Sequence, residues 1–218
     1  KKKGRQLWLL NRAGGEAERV TAMPSGVSDY AWSPDSSRLV LVARDAAPDA
    51  DPEKKPGWER KTEPPIVLDR YFFKDDDAGY RKRLYAHLYL LDLATRKTEA
   101  ITGGAFDDVD PAWSPDGARI AFVSERGTRD PDRENNADLF VVAARAGAAP
   151  VQLTRFAGPD AGPPAWSPDG STIAYLQGDE PRFSAYNQYQ LAVVPADGGT
   201  PRLLTAAQVR PILVTGPR

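Results

Sequence analysis

The segment Trp-Ser-Pro-Asp occurs three times in this chain of 218 residues, each time ahead of a short apolar run. The copies read AWSPDSSRLVLV from Ala31, AWSPDGARIAFV from Ala112 and AWSPDGSTIAYL from Ala165. A pattern repeated this closely marks one structural unit copied along the chain, so the fold must be one that is built from copies.

Each copy encodes a hairpin. Ala-Trp-Ser closes one strand, and Pro presets φ for the second position of a type I turn. Asp tolerates the next position, and Gly117 or Gly170 supplies the left-handed residue that restores strand register. The first copy has Ser36 where the others have glycine, which predicts a strained or differently shaped turn. After the turn Ile120 and Phe122 fall on one side and Ala121 and Val123 on the other, the pattern of a strand buried on both faces. Trp32, Asp35, Trp113, Asp116, Gly117, Trp166, Asp169 and Gly170 are the structural residues of the repeat.

A second motif follows each copy: HLYLLDLATRKTEAIT from His87, DLFVVAARAGAAPVQLT from Asp138 and QLAVVPADGGTPRLLT from Gln190. A related stretch, QLWLLNRAGGEAERVT, opens at Gln6. Each reads as strand, turn, strand. Two such pairs in succession make a four-stranded antiparallel unit, and a series of these units with a Trp signature predicts an all-β fold, a β-propeller of four-stranded blades.

The spacing sets the expected boundaries. Trp113 and Trp166 are 53 residues apart, close to the ~40–50 of one blade. Trp32 and Trp113 are 81 apart, which leaves 28 extra residues between the second and third strands of the first full blade. The expected units are the outer strands of a blade at 1–22, blades at 27–103 (insert at about 45–84), 107–155 and 162–206, and the start of another at 207–218. Propellers close with ~4–8 blades, so about three and a half blades form an incomplete ring and predict a piece of a longer protein.

Composition narrows the function classes. A net charge of −1 gives no broad basic surface for nucleic acid. No apolar run reaches the ~20 residues of a membrane span, so no membrane contact is expected. The chain has no cysteine, which removes disulfides and thiolate metal sites, while 20 prolines and 18 glycines suit a turn-rich β fold.

Catalytic motifs are missing. No Gly-x-Ser-x-Gly elbow and no phosphate-binding glycine loop occur. The only histidine, His87, sits in an alternating strand and reads as a strand residue with a satisfied ring. Asp75-Asp76-Asp77-Ala78-Gly79 fails the calcium-loop pattern, with Tyr80 at the sixth position and Ala86 at the twelfth. No metal and no cofactor are expected. Asp107, Asp108 and Asp110 precede an innermost strand, where they either cap a turn or line the mouth of a central channel.

The insert has prolines at 48, 52, 56, 64 and 65, and then the stretch IVLDRYFFKDDDAGYRKRLYAHLYLLDL from Ile66. A hairpin is expected there, with Arg70–Lys74 and Tyr80–Tyr85 as strands around Asp75–Gly79. It is either a solvated excursion that shields an edge strand or an ordered element that contacts a neighbouring domain or a substrate. For the second reading the candidates are Tyr71, Phe72, Arg81 and Arg83, together with Asp107 and Asp108 at the blade mouth.

The WSPDG copies and the ending from Asp197-Gly198-Gly199 to Leu204-Thr205 resemble TolB-like propellers. The stretch Asp69-Arg70-Tyr71, Asp77-Ala78-Gly79-Tyr80, Arg83 and His87-Leu88-Tyr89 resembles the N-terminal propeller of the prolyl oligopeptidase family of serine peptidases, especially its acylaminoacyl-peptidase branch. That resemblance implies a cytoplasmic peptide hydrolase in two parts. A C-terminal α/β-hydrolase domain would carry Ser, Asp and His, and the propeller would gate access so that only short peptides enter. No position of this chain matches a catalytic residue of that family, so the chain alone is expected to be inactive. The alternative is a non-enzymatic TolB-like propeller that mediates protein–protein contact. Exposed blade edges also predict self-association by strand pairing.

Overall fold

The computed structural model describes residues 4–46, 67–68, 70–71, 73–75, 79–80, 83–134, 136–178 and 188–205. A two-stranded hairpin comes first, β1 (Trp8–Leu9) with β2 (Glu18–Arg19). Next come β3 (Asp29–Trp32) and β4 (Arg38–Arg44), then a small separate hairpin of β5 (Lys74–Asp75) and β6 (Gly79–Tyr80), then β7 (Ala86–Asp92) and β8 (Thr98–Ala100). The second unit is β9 (Asp108–Trp113), β10 (Arg119–Ser124), β11 (Asp138–Ala143) and β12 (Val151–Gln152). The third is β13 (Asp160–Trp166), β14 (Thr172–Gln177), β15 (Gln190–Pro195) and β16 (Arg202–Leu203). Pairing orders β3-β4-β7-β8, β9-β10-β11-β12 and β13-β14-β15-β16 give three four-stranded antiparallel sheets of one topology. They are suggestive of propeller blades, and the described residues form no closed ring.

The sheets stack face to face, which explains the doubly apolar strands. On β10, Ile120 and Phe122 join Val40, Val42, Leu88 and Leu90 of the first sheet. Ala121 and Val123 join Ile173, Tyr175, Ala192 and Val194 of the third. A third cluster sets Val20 and Val27 against Leu39, Leu41 and Leu91. Each large apolar side chain buried this way contributes about 1.5–3 kcal/mol, so stacking is the main source of cohesion.

The repeated hairpin is closed by its own polar residues. The N–H of Ser36, Gly117 and Gly170 donates to the carbonyl of Ser33, Ser114 and Ser167 at 2.9, 2.9 and 2.8 Å. The three serine hydroxyls donate to Asp35, Asp116 and Asp169 at 2.6, 2.5 and 2.5 Å. The same hydroxyls accept from the N–H of Arg38, Arg119 and Thr172. Ser36 adopts φ 60°, beside 68° for Gly117 and 70° for Gly170. The first turn therefore keeps the shape of the others and takes the strain of a left-handed non-glycine residue.

Among the described residues of the insert, Lys74 pairs with Tyr80 and Asp75 with Gly79, and Arg70, Tyr71, Phe73 and 83–85 lie outside strands. Arg70 and Tyr71, expected to extend the first strand, send their side chains to the neighbouring sheet's loop instead. The segment expected to begin a further unit, 207–218, lies outside the described residues.

Candidate functional site

Two loops leave the same end of adjacent sheets. One is the insert between β4 and β7, and the other is the stretch 125–137 between β10 and β11. They meet over a cleft of about 740 Å³, whose floor includes Phe106, Asp107, Val109 and Val123. That volume lies within the ~300–1,000 Å³ of small-molecule and cofactor sites.

Among the described residues, Arg70 and Tyr71 of the insert contact the loop 125–137. The Arg70 guanidinium forks onto Asp132: Nε donates to Oδ1 at 3.1 Å and to Oδ2 at 2.9 Å, and a terminal nitrogen also donates to Oδ1. Both side chains are largely sheltered, 11% and 15% exposed. The hydrogen bonds to Asp132 push the Arg70 guanidinium further up. Beside it, Arg133 lies 4.9 Å from the centre of the Tyr71 ring, within cation–π range. Arg70 and Tyr71 of the insert therefore contact the loop of the neighbouring sheet.

The near wall is built from Arg44, Arg83, Leu84 and Tyr85. Arg44 donates to the carbonyl of Leu84 at 2.6 Å and stands 3.6 Å from Asp107. Asp107 accepts from the N–H of Ala86 at 2.7 Å, fixing the start of β7. The far wall, Thr128 to Glu134, adds charges of both signs.

Behind the cleft floor runs a buried ion network. Asp108 is 0% exposed and takes Arg126 at 2.6 and 2.7 Å, and His87 Nδ1 lies 3.4 Å away. Burial pushes its carboxyl up, and the hydrogen bonds from His87 and Arg126 more than offset that, leaving it below the usual carboxylate range. The other ring nitrogen of His87 faces Asp45 at 3.5 Å. Arg126 also lies 5.5–5.8 Å from the ring centres of Phe106, Phe122 and Phe140.

The expected site residues therefore separate. Tyr71, Arg83 and Asp107 line one cleft. Asp108 is fully buried behind the cleft floor, where Arg126 pairs with it and His87 Nδ1 stands 3.4 Å away. Phe72 and Arg81 lie outside the described residues. His87 is buried between two carboxylates, as suits a satisfied strand residue. Sequence reasoning missed Arg44, Asp132 and Arg133. The available signal was the length and charge of the stretch ERGTRDPDRENNAD from Glu125, which interrupts an otherwise tight repeat.

The cleft walls carry guanidinium, carboxylate and aromatic groups. No group of three or more metal-ligating side chains occurs among the described residues, and none of their helices is long and apolar enough to cross a membrane.

Comparison with known proteins bears on this arrangement. The family described as dipeptidyl peptidase IV (DPP IV) N-terminal region matches residues 68–155, from the insert through the second sheet. The chain is 32% identical over 138 residues to the uncharacterized peptidase YuxL of Bacillus subtilis (strain 168), a match that covers 63% of this chain and 20% of that one. Among solved structures, a puromycin-hydrolyzing peptidase of Mycobacterium tuberculosis superposes with TM-score 0.61 at 18% identity, over 93% of this chain and 28% of that one. A protein described as TolB from Agrobacterium tumefaciens superposes with TM-score 0.54 at 17% identity, over 91% and 55%. The chain thus spans about a fifth of the curated relative it matches. By the family match and the curated relative, part of this chain is similar to the N-terminal region of a peptidase, and no branch is selected. The solved structures show the fold.

Proposed function

We propose that this chain is the substrate-gating propeller portion of a serine oligopeptidase, and that the cleft under the insert receives part of a short peptide on its way to a hydrolase domain of the same protein. The observation that supports it most directly is the Arg70–Asp132 fork. It ties Arg70 of the insert to the loop 125–137 beside a cleft of about 740 Å³, and both residues fall in the segment that matches the DPP IV N-terminal region. The mechanism is exclusion: blades leave narrow passages, a roofed cleft admits an unfolded chain of few residues, and a folded protein cannot enter. The acylaminoacyl-peptidase branch, with N-acylated peptides as substrates, is the finer reading suggested by the insert.

The test uses the full-length protein with peptides of graded length, comparing wild type with Arg70→Ala. The expected result is hydrolysis that falls steeply with length in the wild type, and a flatter profile with raised KM for short peptides in the variant. An unchanged length profile and KM would overturn the gating role of the insert.

A second reading is favoured by the TolB similarity, which covers over half of that protein. It is a non-enzymatic propeller for protein–protein contact. Absence of any peptide hydrolysis by the full-length protein would select it.

A further inference from the structure

The joints between successive sheets are built on one plan, and one position in that plan changes character. At the first joint, His87, second in the third strand of the first sheet, faces Asp108 at the start of β9. At the second joint the equivalent residues are Asp138, which opens β11, and Asp160, which opens β13. Both are 2% exposed. A histidine–carboxylate pair has been replaced by two carboxyls.

The backbone sets them side by side: the N–H of Asp160 donates to the carbonyl of Ala137 at 2.7 Å. Asp138 is partly served, accepting from Gln152 Nε2 at 2.7 Å and weakly from the Thr154 hydroxyl at 3.4 Å. That hydroxyl also accepts from the N–H of Leu139 at 2.8 Å. One hydroxyl hydrogen cannot serve both carboxyls, and neither oxygen of Asp160 has a hydrogen-bond partner. Among the described residues, the other groups facing the pair are Ser124, Tyr175, Gln177 and, farther out, Arg155. Ser124 and Gln177 are register partners of Asp138 and Asp160. The Tyr175 hydroxyl is spent on Gln177 at 3.1 Å, and Arg155 is bonded to Gln152 at 2.6 Å. Among the described residues no cation reaches Asp160 as Arg126 reaches Asp108.

From this we propose that the joint between the second and third sheets is a proton-loaded latch: Asp138 and Asp160 hold the sheets together while they carry protons and push them apart when both ionise. A buried carboxyl with no donor is costly as an anion and tolerable as an acid, and two of them in one apolar joint cannot both be charged without large cost. Burial, first of all, pushes Asp138 to about 6 and Asp160 to about 7; the nearby Thr154 hydroxyl lowers Asp160 without a hydrogen bond to it, and the charge of Asp138 raises it. Both are raised above the ordinary ~3.9. The stability they allow is full below about pH 4 and is lost as pH rises through 6 and 7. The latch also borders the cleft, because Ala137, whose carbonyl accepts from the N–H of Asp160, lines it.

The latch does not depend on the proposed peptidase role, and its test reads structure and not activity. Amide exchange in β11 and β13 of the full-length protein, corrected for the intrinsic rate, is followed from pH 5 to pH 8 in wild type, Asp160→Asn and Asp138→Asn. The wild type is expected to lose at least about tenfold in protection over this range, and either amide to reduce the loss. Protection in the wild type that stays level would overturn the latch even if both variants fail to fold. So would a loss in a folded variant equal to that of the wild type.

Discussion

The indole N–H of Trp113 donates to the backbone carbonyl of Ala31 at 3.1 Å, across the joint between the first and second sheets. One unit later Trp166 donates to Ala112 at 3.0 Å. Each tryptophan is also covered by an arginine of the preceding sheet: Arg38 lies 4.9 Å from the Trp113 ring and Arg119 lies 5.0 Å from the Trp166 ring. Arg38 then donates to the carbonyls of Gly117 and Ala144. The Trp of the repeat is thus the fastening between copies, which accounts for its recurrence.

Trp113→Phe keeps a ring and removes the donor. It should cost about 1–2 kcal/mol, from the lost hydrogen bond and a weaker cation–π contact. Trp32 is 45% exposed, so Trp32→Phe should cost less. Urea denaturation of the two variants checks the order.

Ser36→Gly should stabilise the protein by about 0.5 kcal/mol. Relief of the left-handed strain at φ 60° is partly offset by the greater freedom of glycine in the unfolded chain. Gly117→Ser should move stability the other way. A rise in Tm for the first and a fall for the second is the expected pair of results.

Acid should loosen the repeat turns. The Ser33 hydroxyl holds Asp35 at about 2, helped by Ser37, and the Ser167 hydroxyl holds Asp169 at about 2. Asp116 is lowered for the same reason, by Ser114 first. The folded values lie below the ordinary ~3.9, so this contribution is present above about pH 4 and is lost as pH falls toward 2. Carboxyl-carbon NMR should show Asp169 returning toward its ordinary value in Ser167→Ala.

Asp132→Ala should free the insert from the second sheet. The backbone amides of Lys74 and Tyr80 should then exchange about tenfold faster, the equivalent of about 1.4 kcal/mol of lost local stability. Exchange in β10 should be unaffected.

The architecture was legible because its signals are local and repeated. Pro34, Pro115 and Pro168 mark each turn, and the alternation at Ile120–Val123 announced two buried faces. The joints were less legible. That Asp108 would be buried against Arg126 depends on two residues 18 apart meeting behind a sheet, and no spacing rule encodes that meeting. The insert showed the same limit. Its sequence predicted paired strands from Arg70, but the side chain of Arg70 found Asp132, 62 residues away, and among the described residues Lys74 pairs with Tyr80. Tyr71, Arg83 and Asp107 could be named as candidates, yet only the fold brings them to one cleft.

The peptidase reading is tested most directly by treating the full-length protein with a fluorophosphonate probe and locating the label by mass spectrometry. The account predicts a single modified serine, placed outside residues 1–218, with concurrent loss of peptide hydrolysis. No labelled serine and no hydrolysis to lose would contradict it.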